Sequence, residues 1–300
     1  MIKKSLYKEY LKPEILSKIN SLELRAKLVV EGFITGLHKS PFHGFSVEFS
    51  QHRPYNLGDS LRYIDWKVFG RTDRFYIKQY EEETNLKSFI LLDISNSMSF
   101  ASTKISKLLY GKYLAATLSY LMLLQRDAVG LVLFDEQLRK LMPPRSTSSY
   151  LQPLLLELDK CKAGKDTDVG GILHEMAERI KRRGLVILIS DLLDDPAKII
   201  SGLRHFRHNK HEVLVFHLLD PKERYLDFQG DVIFEDLETG EKIKTYPWYI
   251  KREYQDKVEG YINLLKSQCR ENQIDYQLLE THFTLDLALM EYLIKRNRLH

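Results

Sequence analysis

Cysteine is scarce in this chain: two among 300 residues, Cys161 and Cys269. They make neither a disulfide framework nor the paired spacing of a zinc site, and a reducing compartment suits them. Blocks of like charge are missing too. Lys plus Arg number 45 against 41 for Asp plus Glu, and the basic residues gather only in short clusters such as Lys181-Arg182-Arg183. A dedicated nucleic-acid binder carries a basic stripe or block, so the charge gives no reason to expect nucleic acid. Long apolar runs are also absent. The most apolar stretch, Leu114 to Leu124, is about half of what a membrane-spanning helix needs, and Lys112 and Arg126 flank it. The N-terminal Met1-Ile-Lys-Lys-Ser-Leu-Tyr-Lys-Glu-Tyr10 has basic residues with no apolar segment behind them. No secretory signal and no membrane span are expected, and the expected location is cytoplasmic.

Common catalytic signatures are missing as well. Gly164-Lys165 lacks the glycine spacing and the following Ser or Thr of a phosphate-binding loop. There is no Gly-x-Ser-x-Gly elbow. A phosphatase built on Asp-x-Asp needs an acid two residues after Asp93, where Ser95 stands. His205, His208 and His211 fall at the end of a predicted helix and read as surface histidines favoured near a helix C-terminus rather than as metal ligands. His217 and His282 have no evident partner in the sequence.

What is present is an ordinary globular composition, 44% hydrophobic and 29% charged, which sets aside disordered, collagen-like and coiled-coil classes. The length suits one large α/β domain with an extension, or two modest domains. Residues 1–40 read as helical, with Leu11, Ile15, Ile19 and Leu22 at helical spacing. Residues 41–73 are rich in glycine, polar and aromatic residues and read as irregular with short strands. From Lys87 onward apolar strands alternate with helices. Ser88–Asp93, Ala128–Phe134, Leu185–Ser190 and Glu212–Leu218 read as buried strands, and helices are expected over 102–125, 148–160, 169–182, 196–208, 248–272 and 285–295. Asp195-Pro196 reads as an N-cap followed by proline at the first helical position. Leu138–Met142 suits an edge strand, 231–246 a hairpin around Thr239-Gly240, and Tyr276–Leu279 a last strand. Such alternation predicts a three-layer, doubly wound, mostly parallel sheet. The division expected is an N-terminal extension over 1–85 and the α/β domain over 86–300.

Ligands of such sheets sit outside the carboxyl ends of the strands, which draws attention to the acids placed there. Asp93-Ile-Ser95-Asn-Ser97 is Asp-x-Ser-x-Ser closing a strand. That spacing can turn three oxygen-bearing side chains toward one point, as a hard cation such as Mg²⁺ requires. More oxygens must come from elsewhere. Thr167, in a loop that opens a helix, and Asp191, closing the next strand, can supply them. Each segment alone also reads as a helix cap or a turn; together, in order, they read as a site.

This set resembles the metal-ion-dependent adhesion site of von Willebrand factor A domains. Carried over by position, the implied metal ligands are Asp93, Ser95, Ser97, Thr167 and Asp191, and the implied cofactor is Mg²⁺, Mn²⁺ or Ca²⁺. The upstream run Arg53-Pro-Tyr55-Asn-Leu-Gly58-Asp59-Ser-Leu-Arg62-Tyr-Ile-Asp65-Trp66, followed by Tyr80 and Glu83, resembles bacterial domain-of-unknown-function family 58. So do His217-Leu-Leu-Asp220-Pro and Phe234-Glu-Asp-Leu-Glu-Thr-Gly240 further on. Read as residues alone, Arg53, Asp59, Arg62 and Asp65 alternate in sign beside Tyr55 and Trp66, which suits an ion-pair network packed on aromatics or a partner-binding surface. The resemblance implies a non-enzymatic interaction module whose partner is a MoxR-type AAA+ ATPase or a client protein, reached through a carboxylate that completes the metal site. The alternative is a Mg²⁺-dependent phosphate-ester hydrolase with Asp194 or Asp195 as base.

Overall fold

The computed structural model describes residues 13–19, 21–37, 53–54, 69–71, 73, 75–77, 86–164, 168–228, 232–235 and 242–297. Thr167, the segment from Tyr55 to Trp66 and the side chain of Arg53 lie outside the described residues, as do Tyr80 and Glu83. Two short strands, β1 (Arg53–Pro54) and β2 (Tyr76–Ile77), pair antiparallel. The apolar runs form β3 (Lys87–Asp93), β4 (Ala128–Phe134), β6 (Leu185–Ser190) and β7 (Glu212–Leu219). With β5 (Leu138–Arg145) and β10 (Asp275–Glu280) they make one six-stranded sheet in the order β10-β7-β6-β3-β4-β5. Every neighbouring pair is parallel except β4 and β5. β5 is thus the antiparallel edge, and there Pro143 and Pro144 need donate nothing to a further strand. β8 (Val232–Glu235) and β9 (Lys242–Thr245) pair antiparallel apart from this sheet.

Helices cover both faces. Successive side chains of a strand point to opposite sides, so Ile90 and Leu92 enter one core layer and Leu91 the other. The first layer lies under α2 (Leu22–Leu37), α3 (Lys107–Leu124), α4 (Leu151–Lys160) and α9 (Asp286–Asn297). The second lies under α5 (Val169–Arg179), α6 (Pro196–His208) and the last turns of α8 (Pro247–Glu271). α1 (Pro13–Leu16) and α7 (Pro221–Tyr225) are short helices. The result is the three-layer, doubly wound, mostly parallel sheet that the sequence predicts.

Local chemistry fixes the element ends. α3 begins at Lys107 rather than near residue 102, because Ser106 takes extended backbone and its hydroxyl accepts from the Leu109 amide. Ser97–Ser99 instead forms a separate 3-10 turn. Asp168 caps α5 by accepting from the Gly171 amide, and Asp195 caps α6 by accepting from the Ala197 amide. α2 is continuous with the first core layer. Its Leu22, Ala26, Val29, Val30 and Phe33 are buried there, while Arg25 donates to the Tyr113 hydroxyl at 2.7 Å and lies over that ring.

The sheet reverses its winding at β3. From there the chain proceeds to β4 and β5 on one side, then returns to β6, β7 and β10 on the other. The crevice at such a switch point opens between the carboxyl ends of β3 and β6.

Candidate metal centre

Each of the five parallel strands ends in an acid or is followed by one. β3 ends in Asp93 and β10 in Glu280; Asp135, Asp191 and Asp220 follow β4, β6 and β7. All five are buried, none more than 2% exposed. A buried carboxylate must be paired or hydrogen-bonded to stay charged. Asp135 accepts from Arg139 Nε at 2.7 Å, and Glu280 from Arg224 Nη1 at 2.8 Å and the Tyr225 hydroxyl at 3.0 Å. Asp220 takes the amides of Ser102 and Lys222, at 2.9 and 2.8 Å. Asp191 Oδ2 accepts from the Lys107 ammonium at 2.7 Å. Asp93 has the Ser95 amide on Oδ1 at 2.8 Å and the Ser190 hydroxyl on Oδ2 at 2.6 Å. Neither donor is a cation.

Of the five, Asp93 and Asp220 have only neutral donors in these hydrogen bonds. Burial, and then the negative charge of the neighbouring Asp191, push the Asp93 carboxyl up to about 7, against the pull of the Ser190 and Ser95 hydrogen bonds. Like charges brought together in a desolvated place raise a carboxyl in this way. Ser95 and Ser97 complete the loop. Both are buried, and their hydroxyl oxygens lie 3.1 Å apart.

Asp191 is held from several directions. Leu192, the next residue, adopts a left-handed backbone at φ 53° although it is neither glycine nor asparagine, a conformation that costs energy and persists where surroundings enforce it. Its amide donates to the Ser190 hydroxyl at 2.9 Å, and Tyr261 on α8 donates its hydroxyl to the carbonyls of Leu192 and Asp194. Asp191 Oδ1, in contrast, is buried without a hydrogen-bond partner.

Lys107, Ser190 and Glu223 were not legible as site residues. The Lys107 ammonium is fully buried and joins Asp191 to Glu223, whose Oε1 lies 2.6 Å away. Burial opposes its charge, yet the two carboxylates hold the ammonium above its ordinary range. Glu223 in turn belongs to the capping box of α7, with Oε2 accepting from the Asp220 amide at 3.1 Å. A lysine at the start of an apolar helix gives no hint of partners 84 and 116 residues away.

The residues fit a hard divalent cation. Asp93, Ser95, Ser97 and Asp191 are oxygen donors at one sheet edge; among the described residues Asp93 has no cationic partner and Asp191 Oδ1 no hydrogen-bond partner. Among the described residues no group of three or more His, Cys, Asp or Glu gathers to hold a metal, so the candidate set is two carboxylates and two hydroxyls. The predicted ligand Thr167 lies outside the described residues. Asp194 and Asp195, the bases of the hydrolase alternative, are engaged elsewhere. Asp194 accepts amides on both oxygens, and Asp195 is the α6 cap.

His208 is exposed at the end of α6, as expected, whereas other histidines make contacts the sequence does not show. His211 is not at the surface; it is fully buried, with Nε2 2.8 Å from the Ile180 carbonyl. His205 Nδ1 meets His174 Nδ1 at 3.2 Å. His217 has a partner, the Tyr276 hydroxyl 2.5 Å from Nδ1, and His282 lies 3.4 Å from Glu280.

A family model described as Protein of unknown function DUF58 matches residues 51–259. The chain belongs to that family. Uncharacterised proteins of Mycobacterium tuberculosis and Mycobacterium bovis are each 26% identical to it over 231 residues, 76% of this chain and 72% of theirs. The crystal structure of an aerotolerance-related membrane protein from Bacteroides fragilis, carrying multiple mutations to serines, is similar in fold. It is 19% identical, covers 70% of this chain and 99% of that one, and has a TM-score of 0.50. The VWA domain of SpRpn10, 11% identical with a TM-score of 0.37, covers 69% of this chain and 94% of that one. Among the described residues of this DUF58 member, no helix is long and apolar enough to cross a membrane.

Proposed function

We propose that this DUF58 protein is a non-enzymatic interaction module. Its carboxyl sheet edge holds a divalent cation through Asp93, Ser95, Ser97, Thr167 and Asp191, and the cation receives a carboxylate from a partner protein. The observation that carries the reading is Asp93: fully buried, raised to about 7 by burial and by Asp191, and paired with no cation among the described residues. A bound divalent ion supplies the missing positive charge and an open coordination position. The hydroxyls of Ser95 and Ser97 add oxygens without adding charge, so two aspartates only just balance the ion. Where water is excluded, a further anionic ligand is then favourable.

Partner contact at such a position depends on the metal and is worth more than its area. The partner we propose is a MoxR-type AAA+ ATPase, or a client protein handed between the two, with a chaperone-like role in assembling or maturing complexes. This follows from the resemblance of the Arg53–Trp66 run and the strand-end motif. A hydrolase reading finds no support in Asp194 and Asp195, whose carboxylates are committed to backbone amides.

Affinity capture tests the reading. The tagged chain is used as bait for the MoxR-type ATPase with Mg²⁺, with chelator, and as Asp93→Ala. Capture with Mg²⁺ alone is the expected result. Capture that survives both chelation and the substitution contradicts a metal-gated contact. Turnover of a phosphate ester by the purified chain, lost in Asp93→Ala, moves the protein to the enzyme class.

A further inference from the structure

We propose that Lys107 sets the ion preference of this site: by holding one oxygen of Asp191 it leaves that carboxylate a single oxygen for a cation, which favours Mg²⁺ or Mn²⁺ over Ca²⁺. The inference rests on the metal-site reading above.

The ammonium lies 2.7 Å from Asp191 Oδ2, with both side chains fully buried. It is anchored on its other side by Glu223 Oε1 at 2.6 Å, and Glu223 is itself fixed in the capping box of α7. The helix that carries Lys107 sits tightly on the sheet. A Cβ at Gly111, one turn on, would stand 2.9 Å from Leu92 Cδ1 and 3.5 Å from Ile189 Cγ2. Lys107 is thus held in place by both its partners and its helix. To chelate with both oxygens, Asp191 has to abandon a buried ammonium, and an unpaired buried charge is strongly unfavourable. Only Oδ1, which has no hydrogen-bond partner among the described residues, remains for a cation. Asp93 differs: the Ser190 hydroxyl meets its Oδ2 at 2.6 Å and the Ser95 amide its Oδ1 at 2.8 Å, both neutral donors that leave room for a cation on the same oxygens.

Ca²⁺ takes six to eight oxygens and commonly uses carboxylates through both of theirs. Mg²⁺ demands a near-octahedral shell, takes one or two carboxylates and keeps several waters. An Asp191 limited to one oxygen by a buried ammonium, beside uncharged hydroxyl ligands, matches the smaller ion. Groups that orient a ligand in this manner typically change metal affinity by about 10- to 100-fold when removed.

Calorimetric titrations of the full chain with Mg²⁺ alone, Mn²⁺ alone and Ca²⁺ alone test this in wild type, Glu223→Gln, Lys107→Met and the double variant Lys107→Met/Glu223→Gln. The double variant removes one buried charge of each sign and serves where the single lysine variant does not fold. Wild type is expected to bind Mg²⁺ and Mn²⁺ more tightly than Ca²⁺. Glu223→Gln, which leaves Lys107 on Asp191, should keep that ratio. Lys107→Met and the double variant should narrow it by about tenfold. An unchanged ratio in the lysine variants overturns the inference, as does equal narrowing in Glu223→Gln, which marks a general loosening. Wild-type preference for Ca²⁺ also overturns it, while leaving metal binding standing. Failure of wild type to bind any of the three ions removes the metal reading itself and this inference with it.

Discussion

Five strand-end acids share one environment, and their partners set them apart. Asp135, Glu280 and Asp191 have cations, Asp220 has two amides, and Asp93 has an amide and a hydroxyl beside the like charge of Asp191. His217, opposite Ser190 in the register of β6 and β7, answers the same burial in the opposite sense. Full burial disfavours its imidazolium and lowers its pKa to about 4. The unfolded chain binds that proton from about pH 6.5 downward, the folded chain only near 4, so stability is lost as pH falls through this window. Asp93 acts with the other sign, since its folded carboxyl holds a proton the unfolded one releases. The His217 effect is therefore read as a difference. In urea unfolding at pH 7 and pH 5, wild type should lose about 2 kcal/mol more than His217→Gln; equal losses refute a buried neutral imidazole. At this scale the sequence was partly legible. Asp93, Ser95, Ser97 and Asp191 could be singled out as candidates because each stands in a short motif at a strand end. Lys107, Ser190 and Glu223 could not, because their roles arise only when β6, α3 and α7 meet.

Helix and strand boundaries followed local chemistry where the cap was in the sequence. Asp195-Pro196 opens α6 as expected, whereas α3 starts later than its apolar pattern suggests because Ser106 captures the first turn. His211 shows the opposite failure. Its position just past a helix end suggested the surface, but it precedes β7 and is buried against Phe206 and the Ile180 carbonyl. Packing between elements was invisible in the same way. α5 and α6 approach so closely that a Cβ at Gly202 would stand 2.6 Å from Leu173 Cβ. Ala there must force the two helices apart, and overpacking of this kind costs about 1–3 kcal/mol. Gly202→Ala should lower the urea midpoint accordingly, while Mg²⁺ binding at the sheet edge persists. An unchanged midpoint would show that the helix pair has slack the geometry denies.

For the molecule as a whole, the three-layer sheet was legible from alternating strands and helices, and the division at residue 85 was drawn from composition. The structure ties the N-terminal helices to the sheet's own core. Leu16, Leu22, Val29, Val30 and Phe33 are all buried in that layer. Each such side chain contributes about 1.5–3 kcal/mol on burial, so their joint loss rivals the whole stability of a domain, about 5–15 kcal/mol. A chain beginning at residue 39 should show no cooperative melt, and a wild-type melting temperature would mark the extension as dispensable. Metal binding at the edge where β3 and β6 end can be measured in one titration. Mn²⁺ is added to chelator-stripped full-length protein in a calorimeter, with Asp93→Ala alongside and circular dichroism confirming that both are folded. Wild type should bind one ion saturably and Asp93→Ala none. Equal affinity in the two proteins, or no binding by wild type, contradicts a metal site built on Asp93.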